Sequence, residues 1–492
     1  MKRIKNILII SLAWLFSACG NDWLDTTSST DVDSETALNE LNDLEFMVNG
    51  IYSTIQSNNY YGARMQYYGD VTGDDMQACS STKRCADYYM FYYNASNAPT
   101  SFWRTCYEII QNANIVLSKI DGMMYAGVDE KGLKKFNKRK NDLKGQALTL
   151  RALALFDVNR LYGYPYTKDN GASLGGAIVK DVVGTDYKPK RSTVAACYTE
   201  ILKDLTTAVS ATEPLLLEDR TQGKINKWAA MTLLSRVYLY QGDNKNALAI
   251  AEEAIKGAED NGFSLWTNEE YTKVWADDFT SEVFYEVVNL TTDSPGREAM
   301  GYLCSYDGYD DIILTSSFVS FLRKDKADVR SKMFEVIEEC PYITKYPGQK
   351  NESVADANIP IFRLSELYLN AAEAAVKLTN ENDKAVKYLD AIVKRGNPAK
   401  SVEGTTITLE RVLEERRKEF FGEGQRMFDV IRNGGTIERK NVKQDDISST
   451  EHLDLQDYAT KFDWTMHKVV LPIPKAELDA NENMKGQQNP GY

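Results

Sequence analysis

Lys224-Ile-Asn-Lys-Trp-Ala-Ala-Met-Thr-Leu-Leu234-Ser235-Arg-Val-Tyr238-Leu-Tyr-Gln-Gly242-Asp243-Asn244-Lys-Asn-Ala247-Leu-Ala-Ile-Ala251-Glu-Glu-Ala254-Ile-Lys256 is the stretch that decides the fold. Apolar residues recur at helical spacing on both sides of Gly242-Asp243-Asn244, a helix stop followed by a helix cap. Laid on the roughly 34-residue tetratricopeptide period, Leu234, Ser235, Tyr238, Ala247, Ala251 and Ala254 fall on the large, small and Ala positions. Small residues let two helices approach closely, and Tyr238 is expected to fill the groove between neighbouring pairs. The Pro that often closes such a repeat is replaced by Glu259.

Working outward, similar helical pairs are predicted at residues 143–162 with 194–211 and at 361–378 with 383–395, and a last helix from Leu409 to Phe421. Near the start, Leu41, Leu44, Phe46, Met47, Ile51 and Ile55 mark a helix over Glu40 to Ile55, and Trp103, Tyr107, Ile110, Ala113 and Val116 mark another. A solenoid unit cannot bury its face alone, so about three or more pairs are needed, and about four are expected here. The predicted fold class is therefore mainly α, a tetratricopeptide-like helical-pair scaffold. Long loop-rich insertions interrupt it at residues 60–101, 165–191 and 262–358, with short strands such as Val283 to Val288 inside them. Loops of that length are usually functional or disordered. Trp103, Tyr271 and Trp275 sit at helical spacing and read as core.

The first residues carry a different message. Lys2, Arg3 and Lys5 precede a mostly apolar stretch from Ile7 to Phe16 and then Ser17-Ala18-Cys19-Gly20. This is the layout of a secretory signal, with an apolar run too short to span a membrane. Small residues before Cys19 resemble a bacterial lipobox, in which the Cys is acylated; Phe16 stands where Leu is usual, and an ordinary signal with Cys19 incidental is the alternative. Residues 1–18 are read as a lipoprotein signal peptide, 19–36 as a lipid-anchored tether rich in Ser, Thr and Asp, and 37–492 as a single domain.

Composition narrows the function. The 492 residues are 43 % hydrophobic and 26 % charged, ordinary for a globular chain with a sizeable core. Net charge is −13, and removing the three basic residues of the signal takes it to −16. So acidic a chain is a poor nucleic-acid binder. Tyrosine is the outlier, with 29 Tyr against 17 Phe and 7 Trp, which favours surfaces that are half apolar and half wet. Export permits disulfides, and Cys79 and Cys85 are the only pair whose proximity follows from sequence. With His452 and His467 as the only histidines and no Cys-x-x-Cys, no metal site is expected.

Five segments in series resemble the SusD/RagB family of outer-membrane nutrient-binding lipoproteins. They are Asp22-Trp-Leu-Asp25 leading to Asn49-Gly-Ile-Tyr52; Arg151-Ala-Leu-Ala-Leu-Phe-Asp157 with Arg160-Leu-Tyr-Gly163 and Pro165; and Phe362-Arg363-Leu-Ser-Glu366 through Tyr368, Asn370 and Glu373. Then come Glu415-Arg-Arg-Lys-Glu419 through Glu423, Arg426, Asp429 and Arg432, and Leu471-Pro-Ile-Pro474 with Glu477-Leu478 and the terminal Gln488-Asn-Pro-Gly-Tyr492. The resemblance implies a helical scaffold with a loop-rich ligand face. It also implies a glycan or, in some members, a peptide as cargo, and partnership with a SusC-like TonB-dependent transporter at the cell surface.

Candidate ligand residues are the aromatic and polar side chains of two loop regions, because pyranose C–H faces dock on aromatic rings and sugar hydroxyls on polar groups. The first region offers Tyr67, Tyr68, Asp70, Asp75, Arg84, Tyr88, Tyr89, Tyr92 and Tyr93, although residues 88–93 also read as a half-buried strand. The second offers Tyr302, Tyr306 and Tyr309. Asp307, Asp310 and Asp311 are a weak Ca²⁺ candidate without the spacing of a known loop. Glu415, Glu419 and Glu423 stand four apart, which invites a glycosidase reading. The interleaved Arg416, Arg417, Arg426 and Arg432 point instead to structural ion pairs, as do Arg151, Asp157 and Arg160, and Arg363, Glu366 and Glu373. There is no Gly-x-Ser-x-Gly elbow and no phosphate-cradling loop. The sequence reads as a non-enzymatic, lipid-anchored, surface-exposed glycan-binding lipoprotein that passes oligosaccharide to a SusC-like TonB-dependent transporter. The alternatives are peptide capture and a tetratricopeptide protein–protein scaffold.

Overall fold

The computed structural model describes residues 38–440, 442, 446–447 and 452–492; the signal peptide, Cys19 and the whole tether lie outside them. The decisive stretch forms helices α6 (Lys227–Gln241) and α7 (Asn244–Asp260). Gly242 ends α6 at φ +84°, a left-handed conformation that a residue with a Cβ adopts only at a cost. Asp243 then caps α7 by accepting from the Asn246 amide at 3.2 Å. Ala247, Ala251 and Ala254 are fully buried, and the Ser235 hydroxyl donates to the Ala247 carbonyl at 3.1 Å, so the small residues do bring the two helices together. Tyr238 is only half-buried; Trp228 and Tyr240 are the buried large side chains of α6.

The remaining scaffold helices are α1 (Leu41–Gln56), α3 (Ser101–Ile120), α4 (Glu130–Tyr162), α5 (Val194–Ala208), α8 (Leu364–Val376), α9 (Asn382–Gly396) and α10 (Leu409–Phe420). From α1 and α3 through α9, each of these helices packs on the next, a row of eight that makes four neighbouring pairs. The shorter α2 (Arg64–Val71) and α11 (Arg426–Arg432) pack on each other beside the row. One helix exceeds its prediction: α4 starts at Glu130 rather than near 143, capped by Asp129 on the Gly132 amide. Its first turns are a Lys-rich, mostly exposed run with no apolar period, carried by helix propensity and the cap rather than by burial. Among the described residues no helix is long and apolar enough to cross a membrane.

The insertions are ordered and packed. Strand β1 (Met76–Ala78) pairs antiparallel with β3 (Ile312–Leu314), β2 (Val283–Val287) with β6 (Ile359–Arg363), and β4 (Phe334–Ile337) with β5 (Cys340–Ile343). The 60–101 region is not a surface loop: α2, β1 and the short helix Ala86–Tyr89 are largely buried and join the main core. Trp103, Tyr271 and Trp275 are buried as expected, Trp103 on α3 and Trp275 in a 3₁₀ turn.

Candidate functional site

The β1–β3 ladder, with Met76 opposite Leu314 and Ala78 opposite Ile312, sets the two predicted ligand regions side by side although more than 220 residues separate them. The chain leaves β1 through Cys79, whose amide donates to the Asp311 carbonyl at 3.0 Å. Residues 302–311 form a tight turn that enters β3. In it the Tyr309 amide donates to the Tyr302 carbonyl at 2.9 Å, and Asp310 is left-handed at φ +51°. Gly308 permits this closure, since a Cβ there would stand 2.0 Å from the Tyr302 carbonyl oxygen.

The turn presents an aromatic platform. Tyr302 and Tyr309 meet edge to face with ring centroids 5.0 Å apart, and the Arg84 guanidinium lies 3.9 Å over the Tyr309 ring. Arg84 is held there by Glu298 at 3.0 Å and Asp311 at 3.3 Å, and the Lys83 ammonium donates to the Tyr309 carbonyl at 2.6 Å. Tyr306, 39 % exposed, packs edge-on against Tyr342, whose hydroxyl donates to Asp310 at 2.6 Å. Three candidates from the sequence, Arg84, Tyr302 and Tyr309, thus meet directly, and Tyr306 stands on the same turn against Tyr342.

The charges of this platform are already matched. Lys83 lies 3.8 Å from Asp310 and 3.9 Å from Asp311. Burial pushes the Asp311 carboxyl up, while Arg84 and Lys83 oppose that shift. Fixed cations therefore stand where a bound Ca²⁺ would need open oxygen ligands, which argues against the calcium reading of this turn. Arg84 and Lys83 are likewise each paired with carboxylates.

The rest of the first region is corrected by burial. Tyr67, Tyr68, Asp70, Asp75, Tyr88, Tyr89 and Tyr93 are buried and cannot face a ligand. Tyr68 packs edge-on against Tyr88 and Phe102 at 5.3 and 5.7 Å. The Tyr93 hydroxyl donates to the Lys468 carbonyl at 2.8 Å, and the Tyr89 hydroxyl meets His452 Nδ1 at 2.6 Å. Asp70 accepts the Gly424 and Arg426 amides at 2.9 and 3.2 Å, and Asp75 is held by Arg417. Of residues 88–93 only Tyr92, 44 % exposed, reaches solvent, near the 41 % exposed Tyr458. Nor is this run a strand: Ala86–Tyr89 is helical, and Phe91 turns the chain at φ +54°.

A second recess was not legible from sequence. Trp103, Tyr107, Gln111, Tyr187, Glu477 and Met484 line an open cleft. The Trp103 indole donates to Glu477 at 3.3 Å across 374 residues, and Tyr187 lies in an insertion without periodicity, so no local signal joined them.

The charged helix is framework. Glu419 accepts from Arg363 at 3.0 Å and from Arg330 and Arg395 at 3.3 and 2.5 Å, and Glu423 from Lys345 at 2.7 Å and Arg363 at 2.9 Å. Burial opposes ionisation of Glu415, but Arg330 with Lys418 and Arg411 overrides it and holds the carboxyl at about 2. The ion-pair reading holds while its partners change. Arg416 bonds Asp429, Arg417 bonds Asp75, Arg426 bonds Asp74, and Arg432 bonds Glu373 and Asp429. Glu366 takes Arg236, Arg151 takes Asp204, and Asp157 takes Arg160. A carboxylate buried and ligated in this way is not poised to protonate a glycosidic oxygen.

All six cysteines of the described chain are thiols. Cys79 lies near enough to Cys85 to raise its thiol, as their spacing suggests, but the two are not bridged: the Cys85 thiol is buried and turned to the Asp311 carbonyl at 3.5 Å.

Comparison with known proteins covers both halves of the chain. Residues 331–492 match the family model described as SusD family, and residues 22–239 the one described as starch-binding associating with outer membrane. A solved structure from Bacteroides vulgatus, described as a candidate sugar-binding protein, is 56 % identical; the match covers 93 % of this chain and 100 % of that one with a TM-score of 0.87. A SusD superfamily protein of the same organism is 37 % identical over 92 % of this chain and 99 % of its own, with a TM-score of 0.83. The starch-binding protein SusD of Bacteroides thetaiotaomicron is 30 % identical over 137 residues, a match spanning 28 % of this chain and 22 % of that protein.

Proposed function

Because the chain belongs to the SusD family, we propose that it is a surface-exposed, lipid-anchored binding protein that captures oligosaccharide and passes it to a SusC-like TonB-dependent transporter. The observation that carries the glycan part is the meeting of Arg84, Tyr302 and Tyr309 in one half-buried aromatic turn that also carries the exposed Tyr306. Ring faces there accept the C–H surface of a pyranose, and Glu298, Asp307 and backbone groups offer hydrogen bonds to its hydroxyls. Since Lys83 and Arg84 are already paired, a neutral glycan fits better than a sulfated or uronic one. The sugar-binding description of the 56 % identical relative supports the same class of cargo.

The other readings have less support. A protein–protein scaffold needs an open concave groove, whereas α6, at the centre of the helical row, is buried along almost its whole length. Hydrolysis needs an accessible pair of carboxylates, and those of α10 are consumed by guanidinium groups.

Calorimetric titration of the chain after Cys19 against neutral glycans, sulfated glycans and peptides tests the proposal. Saturable binding of a neutral glycan that weakens on Tyr309→Ala supports it. Binding confined to peptides replaces the glycan with peptide capture, and glycan binding unmoved by Tyr309→Ala removes the platform from the site.

A further inference from the structure

We propose that Cys79 and Cys340 are a disulfide-forming pair that staples the base of the Lys83–Arg84 loop to the β4–β5 hairpin. The two residues are 261 positions apart and nothing in the sequence joins them. One carboxylate stands between Cys79 and the strand that carries Cys340. The Cys79 thiol donates to Asp310 Oδ2 at 3.3 Å, and the Tyr342 hydroxyl donates to Oδ1 of the same group at 2.6 Å. Cys340 lies two residues before Tyr342 in β5, and alternation along a strand places its side chain on the face that carries that hydroxyl. β5 in turn packs against β3, which continues from Asp311, and the Asp311 carbonyl receives the Cys79 amide.

The electrostatics agree with this placement. Burial, then the Asp310 carboxylate, then the neighbouring Cys340 push the Cys79 thiol up to about 12. The Tyr342 hydroxyl is raised by burial, by Asp310 and by both cysteines, so one hydroxyl senses the two sulfurs together. Both cysteines are half-buried. Cys85, the competitor within the same loop, is fully buried and engaged with the Asp311 carbonyl.

The chemistry requires an oxidant, here a disulfide-bearing protein or small molecule. The Cys79 thiol is engaged by Asp310, so Cys340 attacks first, losing its proton to solvent as it does so. It forms a mixed disulfide with one sulfur of the oxidant and releases the other as a thiolate. Cys79 then gives its proton to Asp310 and attacks the Cys340 sulfur, expelling the second oxidant thiolate. Two protein thiols are oxidised and one oxidant disulfide is reduced to two thiolates, which take up the two protons that Cys340 and Cys79 release and leave as thiols. Closure would tie the loop bearing Lys83 and Arg84 to the strand bearing Tyr342, on either side of the aromatic platform.

The test is equilibration of the folded, full chain with oxidised glutathione, alkylation, and peptide mapping without reduction. The expected product is lighter by two hydrogen atoms, carries a single cross-linked peptide joining Cys79 to Cys340, and leaves Cys85 alkylated only after denaturation. Cys85→Ser should keep the cross-link and Cys340→Ser abolish it. A Cys79 that remains alkylatable, a stable glutathione adduct at Cys340, or a Cys79–Cys85 link would each overturn the proposal.

Discussion

The Arg363 guanidinium, at the end of β6, donates to Glu419 on α10 at 3.0 Å, and both side chains are at most 2 % exposed. Glu282 closes the same knot, 2.6 Å from Arg363 and 3.2 Å from Arg395. Burying an ion costs several kcal/mol unless partners surround it, so removing one member leaves the others uncompensated. Glu419 is the acceptor shared by Arg330, Arg363 and Arg395. Glu419→Gln is expected to cost about 3–5 kcal/mol in denaturant unfolding. A loss under about 1 kcal/mol would show that the knot is dispensable.

Glu286 on β2 behaves in the opposite sense. Burial raises its carboxyl from 4.5 to about 7, against the Phe279 amide and the Asn358 side chain that stabilise the charged form. A raised carboxyl contributes stability fully below pH 4.5, and that contribution is lost as pH climbs to 7. The Phe279 amide and Asn358 both donate to one oxygen of Glu286, and Glu286→Gln keeps an acceptor there. Unfolding midpoints at pH 4 and pH 8 check the sign. The variant should match the parent in acid and exceed it by about 3 kcal/mol in mild base. Equal stabilities at both pH values would show that Glu286 is ionised like an exposed carboxylate.

How legible each part was follows from how local its causes are. The α6–α7 hairpin could be read because its stop, cap and small-residue face all lie within 224–256. The first half of α4 could not, because residues 130–141 are mostly exposed and carry no apolar period. The burial of Tyr67, Tyr68 and Tyr93 was hidden for the reverse reason. Partners such as Phe428 and Lys468 come from more than 350 residues further along, so a Tyr-rich polar stretch looks like a surface until they arrive. In the site, the aromatic turn at 302–309 was visible as a Gly-punctuated run. Its meeting with Arg84 depended on the β1–β3 ladder, which pairs two three-residue strands too short to leave a pattern.

The joint between α6 and α7 can be tested at its two residues. Gly242→Ala places a Cβ at φ +84° with only an ordinary contact to Thr167, so the cost is conformational and about 1–2 kcal/mol. Asp243→Ala removes the cap on the Asn246 amide and should cost about 1 kcal/mol. Circular dichroism melts of the two single variants and the double variant measure these costs. Neutral substitutions would mean that tertiary packing alone ends α6.

The ligand platform makes the sharpest demand, because its geometry can be broken without removing an aromatic ring. Gly308→Ala forces a Cβ to within 2.0 Å of the Tyr302 carbonyl oxygen, so the Tyr302–Tyr309 closure must open. Tyr309→Ala removes the ring under Arg84 and leaves the turn free to close. If the platform binds glycan, both variants should weaken binding about tenfold, or about 1.4 kcal/mol, by calorimetry. Tyr68→Ala, deep in the core, should instead lower the melting temperature and leave the affinity of the folded protein unchanged. The reverse pattern, with Tyr68→Ala abolishing binding in a folded protein and Gly308→Ala sparing it, would move the site away from residues 302–309. Tyr92 and Tyr458 would then be the next pair to substitute, since both are exposed and close enough for Tyr92 to raise the Tyr458 hydroxyl.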